Sequence, residues 1–205
     1  MNRNIPILLG LILLLICVIV STGCTSAPNS STTPDSSAYH PVVTATNITY
    51  ANYGISFEYP DTLTPVELGY AGDVSTNMNN GMVKLTGSGD NITISWLKTN
   101  HVQPNIPLLY ESLRAVLQKD PKISNLKFYE INTYSSTICG NAAFIGRASY
   151  YDNVLNLQVN EGYLIWNHPS QDRLYMMDIV SSEDYYSSIL GNLERYQESF
   201  KCADS

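Results

Sequence analysis

Apolar and polar residues alternate in two short stretches of the chain. In Gly54 to Pro60, Ile55, Phe57 and Tyr59 alternate with Ser56 and Glu58. Successive side chains of a strand point to opposite faces, so one face of this segment is expected to be buried and the other wet. Asn91 to Lys98 repeats the pattern, with Ile92, Ile94 and Trp96 inward. Further β-rich runs are Met82 to Thr86, Asn125 to Thr133, Ala142 to Tyr151, Val154 to Val159, Tyr163 to Trp166 and Leu174 to Val180. Gly87-Ser88-Gly89-Asp90 and Asp152-Asn153 carry turn chemistry between them. Two segments switch to helical period. Between Pro107 and Asp120, Leu109, Leu113, Val116 and Leu117 share a face, Pro107 suits a first turn and Pro121 stops continuation. From Ser182 to about Phe200, Tyr186, Ile189, Leu193, Tyr196 and Phe200 recur three and four apart. Glu183 and Asp184 open that segment and Arg195 and Lys201 lie toward its end, the order a helix dipole favours. The sequence of β-rich, helical, β-rich and helical segments predicts an α+β domain, a largely antiparallel β-sheet with helices packed on it.

The N-terminus reads differently. Arg3 precedes an apolar run from Ile5 to Val20 broken only by Gly10, and Ser21-Thr22-Gly23-Cys24 follows. This is the n-region, h-region and small-residue site of an export signal. The STGC string resembles the lipobox of bacterial-type lipoproteins, which implies a signal peptide over residues 1–23, lipid attachment at Cys24 and cleavage that makes Cys24 the first mature residue. The alternative is an uncleaved N-terminal transmembrane anchor, since a spanning helix needs about 20 apolar residues. Both readings put the rest of the chain outside, on the outer face of the cytoplasmic membrane, because Arg3 stays cytoplasmic. Thr25 to Tyr39 is dominated by Ser, Thr and Pro. It cannot bury enough apolar surface to offset its ordering entropy, so residues 24–39 form a stalk of about 20 Å root-mean-square span, and the domain occupies residues 40–205.

Composition narrows the partners. The chain has 205 residues, 44% hydrophobic and 14% charged, enough for one globular domain with accessories. Eighteen acidic against eleven basic residues give a net charge of -7. Such a chain has no footprint for phosphate backbones, which excludes nucleic acid as a partner class.

The string Tyr-Gly-Ile-Ser-Phe-Glu-Tyr-Pro from Tyr53 to Pro60, the mid-chain helix, the strand series and a final helix ending Ser199-Phe200-Lys201-Cys202 resemble the PsbP-like superfamily. That superfamily is named for an extrinsic subunit of the photosynthetic oxygen-evolving complex and also includes a Ran-binding nuclear-transport protein. The resemblance, over roughly Thr44 to Cys202, implies an α-β-α sandwich used as a binding or assembly module without catalysis. The acidic, Asn- and Tyr-rich lipoprotein form looks most like surface proteins of methanogenic archaea.

Candidate chemistry is sparse. With Cys17 in the signal and Cys24 at the lipid site, two thiols remain, Cys139 and Cys202, and an even remainder outside the cytosol argues for a disulfide. Two unpaired thiols are the alternative. The PsbP-like arrangement implies that the last helix returns to the sheet and brings Cys202 near Cys139. His40, His101 and His168 fall in no HxH, HxxxH or HExxH spacing and read as surface loop residues. Glu194 and Glu198, one helical turn apart, read as a solvated face, and Asp120, Asp152 and Asp172 mark turn edges and not a calcium loop. No catalytic, cofactor or metal motif stands out. The fifteen tyrosines suit recognition surfaces and half-buried strands alike. Asn29, Asn47 and Asn91 open N-glycosylation sequons, so the chain is a glycoprotein if its host glycosylates. Together these features predict a membrane-tethered lipoprotein that binds a protein or envelope component without catalysis. The competing class is an extracytoplasmic, hydrolase-like enzyme whose residues converge only in space.

Overall fold

Helix α1 covers Ile106–Lys119. It starts where Asn105 caps it, the Asn105 Oδ1 accepting from the Leu108 amide at 3.1 Å, with Pro107 in the first turn. It stops before Asp120, whose own amide bonds back to the Leu117 carbonyl. Ile106, Leu109, Tyr110, Leu113 and Leu117 form its buried face, and Val116 is half-buried at the margin. This computed structural model describes residues 46–68, 77, 79–87, 90–130, 136–181 and 194–202. The expected signal, the lipid site, the stalk and the first part of the second helix, with Tyr186, Ile189 and Leu193, lie outside the described residues.

The strands are β1 Asn47–Asn52, β2 Ile55–Pro60, β3 Leu63–Leu68, β4 Asn80–Gly87, β5 Asp90–Lys98, β6 Ile123–Glu130, β7 Ser136–Ile138, β8 Asn141–Asp152, β9 Leu157–His168, β10 Arg173–Ser181 and β11 Lys201–Cys202. All pair antiparallel. One sheet runs β3-β4-β5-β10-β9-β8-β6 with β7 also on β8, and a small sheet runs β1-β2-β11. The large sheet is covered on both faces, so β8, β9 and β10 are buried almost throughout, polar Arg147, Ser149, Asn160, Glu161 and Asp178 included.

Alternate side chains of the same strands feed two cores. Phe144, Tyr163, Ile165, Leu174 and Met176 pack under α1. Ile145, Leu164, Trp166, Tyr175 and Met177 point the other way, onto Tyr50, Ile55, Phe57 and Tyr59 of the small sheet. The layers are therefore α1, the large sheet, and a second layer in which a three-stranded sheet joins the C-terminal helical segment. The segment 194–199 is helical and buries Tyr196, but the expected helix does not run on to Cys202, because Lys201–Cys202 extends to pair with β2 as β11. Phe200, which follows the helical segment, has its ring centroid 5.0 Å from Trp166, 5.9 Å from Phe57 and 6.1 Å from Tyr175. Tyr110 of α1 approaches β8 closely because residue 146 is glycine; a Cβ there would fall 2.3 Å from the ring.

Several strand expectations need correction. Val154 to Val159 and Tyr163 to Trp166 are not separate strands, because Leu157–His168 is one element. Residues 154–156 belong to the turn before it: Asp152 Oδ1 accepts from the Val154 and Leu155 amides, and Asn156 adopts φ 56°. β1, β3, β7 and β11 carry too little alternation to announce themselves. β1 buries one side chain, Tyr50, and β3 is an edge strand that tolerates Pro65. In β6 the register shifts between Ser124 and Lys127, where Asn125 has φ 55°.

Candidate functional site

Two acids sit inside apolar strands. Glu161 of β9 and Asp178 of β10 share the α1 face of the sheet, because Tyr163 pairs with Asp178 and Glu161 with Val180, which places the acids diagonally across the ladder. Glu161 is 3% exposed and Asp178 1%. Tyr150 of β8 is a diagonal neighbour of Glu161 through the pairs Ala148↔Glu161 and Tyr150↔Val159. On the other side Lys84 of β4 joins the row through Thr93 of β5, which pairs with both Lys84 and Asp178.

Burial dominates the electrostatics. It raises the Glu161 carboxyl above its ordinary range, and the hydroxyls of Tyr163 and Tyr150 and the Asp178 carboxyl, all leaning on Glu161, pull it part of the way back. Asp178 is pushed well above its ordinary range, first by burial and then by the Glu161 charge and contact, with Lys84 opposing. Burial and the two acids drive Tyr150 and Tyr163 upward as well. The pair therefore holds protons where exposed carboxyls have lost theirs. Glu161 Oε2, Asp178 Oδ1 and the Tyr163 hydroxyl have no hydrogen-bond partner of standard geometry among the described residues. Chemically the cluster can store protons, but its groups are enclosed and present no open face to a substrate.

The large sheet also carries a polar groove of about 890 Å³. Asn125, Leu126, Lys127 and Tyr129 of β6, Ser149 of β8, and Gln158 and Asn160 of β9 line it. Lys127 pairs with Ser149 and Ser149 with Asn160, so the three form a row across the strands. Ser149 and Asn160 keep the parity of Ile145 and Leu164, which puts the groove on the face that the small sheet covers farther along. The Tyr129 hydroxyl lies 3.1 Å from Ser149 Oγ. The β6 bulge shapes one wall, since an extra residue re-aims the side chains that follow it.

The residues singled out in the sequence do not converge on either feature. Cys24 and Asn29 lie outside the described residues, as do Cys17 and His40. Asn47 is exposed at the start of β1, its amide 3.3 Å from Glu58, whereas Asn91 is half-buried in β5 opposite Val180. Glu194 and Glu198 are exposed. Asp120 Oδ1 accepts from the Lys122 amide, and Asp152 closes the turn before β9. Asp172 adopts φ 55°, and its Oδ1 accepts from Thr99 Oγ1 at 2.7 Å and from the His101 amide. Burial would raise that carboxyl, but the His101 amide, the Thr99 hydroxyl and the nearby His101 and Lys98 charges outweigh it and hold it below its ordinary range. The sulfurs of Cys139 and Cys202 are bonded, with Cα atoms 5.8 Å apart. Cys139 follows β7 of the large sheet and Cys202 lies on β11, so this bond ties the two sheets together. Glu161 and Asp178 were the residues overlooked. Their signal was a lone acid inside each of the runs VNEGYLIW and LYMMDIV.

No family model matches the chain, and no curated protein does. Among solved structures it is similar to the Ran-binding protein Mog1p of Saccharomyces cerevisiae, with 11% identity, 78% of this chain and 97% of that one covered and a TM-score of 0.49. It is similar to the cyanobacterial PsbP of Synechocystis, with 12% identity, 81% and 98% covered and a TM-score of 0.49. It is also similar to LpqN of Mycobacterium tuberculosis, described as involved in cell envelope biogenesis, with 13% identity, 78% and 90% covered and a TM-score of 0.46.

Proposed function

We propose that this chain is an exported lipoprotein, tethered through Cys24, whose PsbP-like domain is a non-catalytic binding module for a partner protein or envelope component. The groove between β6 and β9 carries the reading: amides, hydroxyls, one lysine and one aromatic ring offer directional hydrogen bonds without a paired acid and base. The carboxyl pair that could do acid-base work is enclosed on the face of the sheet that carries α1. The apolar run before Ser21-Thr22-Gly23-Cys24 and the Ser/Thr/Pro-rich residues after it supply the tether and stalk of this reading.

The test is co-purification of the full-length protein from detergent-solubilised native membranes, beside a groove variant carrying Lys127→Glu and Asn160→Arg. The wild type should retain a component that the variant loses, and mass spectrometry should find lipid on Cys24. Equal retention by both proteins would overturn the groove as the binding surface. A Cys24 peptide without lipid would overturn the tether while leaving the groove reading intact.

A further inference from the structure

Three ligand-type side chains meet at the seam between the sheets. The sulfurs of Cys139 and Cys202 and a ring nitrogen of His168 all lie within 4.8 Å of one another. They come from three segments far apart in sequence: the turn after β7, β11 and the end of β9. The residues are partly buried, enough to shelter an ion without sealing it off. We propose that, once the disulfide is reduced, Cys139, Cys202 and His168 form a binding site for a thiophilic divalent cation of the zinc class, independent of the groove.

The argument rests on reach and on anchoring. Zn–S bonds of about 2.3 Å and Zn–N bonds of about 2.0 to 2.1 Å put the ligand atoms of a tetrahedral site roughly 3.5 to 3.8 Å apart. The imidazole is therefore already within about an ångström of its place, and the two sulfurs need only part by side-chain rotation. Cα atoms 5.8 Å apart allow that rotation without moving either strand. Each ligand is held from its own backbone. Cys202 pairs with Ile55, and His168 with Arg173. Cys139 sits at φ 50° before Gly140 at φ 72°, with the Asn141 side-chain amide donating to the Cys139 carbonyl at 2.8 Å. Ser170 Oγ lies 3.1 Å from His168 Nδ1, the kind of outer contact that orients a ligating imidazole. Two thiolates and an imidazole are the donor set that zinc favours, with a fourth position left for water. Sequence spacing could not show this site, because no two of its ligands share an element.

The chemistry balances with an external reductant of the dithiol or phosphine class. As the S–S bond breaks, a phosphine takes the oxygen of one water to become the phosphine oxide and that water's two protons complete the two thiols, whereas a dithiol closes to its own disulfide and passes on its two protons. The cation then displaces both thiol protons and is held by two thiolates and a neutral imidazole.

The experiment uses the full-length chain in detergent micelles, reduced with a phosphine and titrated with Co²⁺ alone. A thiolate-to-cobalt charge-transfer band should grow to one cobalt per chain and be displaced by Zn²⁺. The oxidised protein should give no such band. A Cys139→Ser/Cys202→Ser variant reads any binding elsewhere in the chain, including at Cys17 or Cys24 in unprocessed precursor. His168→Ala should weaken cobalt binding at least ~10-fold and alter the ligand-field spectrum. If reduction unfolds the domain, cobalt should restore its far-UV dichroism. A reduced wild type that binds no more cobalt than the double variant, a His168→Ala protein with unchanged affinity and spectrum, or an unfolded reduced chain that cobalt does not restore would each overturn the site.

Discussion

Replacing Gly146 by alanine should loosen the docking of α1. A Cβ at residue 146 would fall 2.3 Å from Tyr110 Cε2 and 2.7 Å from its Cζ. Carbon atoms pack best about 3.5 to 4.0 Å apart, so the ring must retreat by more than about 1 Å. It has nowhere easy to go. Tyr110 is 6% exposed, and its ring centroid stands 4.7 Å from Phe144 and 6.3 Å from Tyr163. Overpacking of this kind costs about 1 to 3 kcal/mol. At the middle of that range, Gly146→Ala should lower Tm by roughly 4 to 8 °C for a domain of this size. Urea unfolding followed by far-UV dichroism should show a lower midpoint with an unchanged slope. The control is Tyr110→Leu, which empties the space the new methyl needs. In that background Gly146→Ala should cost less than about 0.5 kcal/mol, because the two sites are coupled by contact. A Gly146→Ala protein as stable as wild type, or one equally destabilised in both backgrounds, would refute the account of how α1 meets the sheet.

Two further outcomes follow from the buried acids and the cystine. Raised carboxyl pKa values in the folded state mean that the native chain holds more protons than the unfolded one above the ordinary carboxylate range, so this contribution is full at low pH and is lost as pH rises through the folded values. The limit is about 1.4 kcal/mol per pH unit for each retained proton. Asp178→Asn should therefore flatten the loss of stability from about pH 5 upward and exceed wild type at about pH 8; urea midpoints across that range with parallel slopes would contradict it. Converting both Cys139 and Cys202 to serine should cost about 4 kcal/mol in the loop-entropy account of a 63-residue separation, and a urea-measured loss under about 1 kcal/mol would mean that the bond constrains the unfolded chain little.

The central strands and α1 were legible in the sequence because their burial pattern is periodic. Ile92, Ile94 and Trp96 point inward as their alternation says, although Thr93 and Ser95 of the face expected to be wet are buried too because the sheet is covered on both sides, and Pro107 and Pro121 bracket the helix. What escaped is what periodicity does not encode. β9 was divided in two because Asn160, Glu161 and Gly162 interrupt its apolar run, yet all three are paired on both sides by β8 and β10. β1 reads NITYAN and offers one inward residue, since an edge strand over a small sheet has little to bury. The carboxyl pair needed the β9–β10 register to bring residues 161 and 178 together. The groove needed a bulge, which no local pattern announces.

The small sheet has a consequence for how the domain bears force. Among the described residues β1 is its outer strand and pairs only with β2, from Asn47↔Pro60 to Asn52↔Ile55. A pull delivered through residue 46 therefore acts first on that one ladder. Drawn sideways, the rungs open one at a time from the Pro60 end; drawn along the strand, they share the load and resist together. β2 is backed on its far side by β11, and from Cys202 the strain passes through a covalent bond to Cys139 and the large sheet. Stripping β1 uncovers Phe57 on the Tyr50 side, while Phe200 still stacks on it at 5.9 Å. The first six-residue strand thus takes such a pull first, and its holds beyond the ladder are the buried Tyr50 ring and the bonds from Tyr50 and Asn52 to Glu67 of β3.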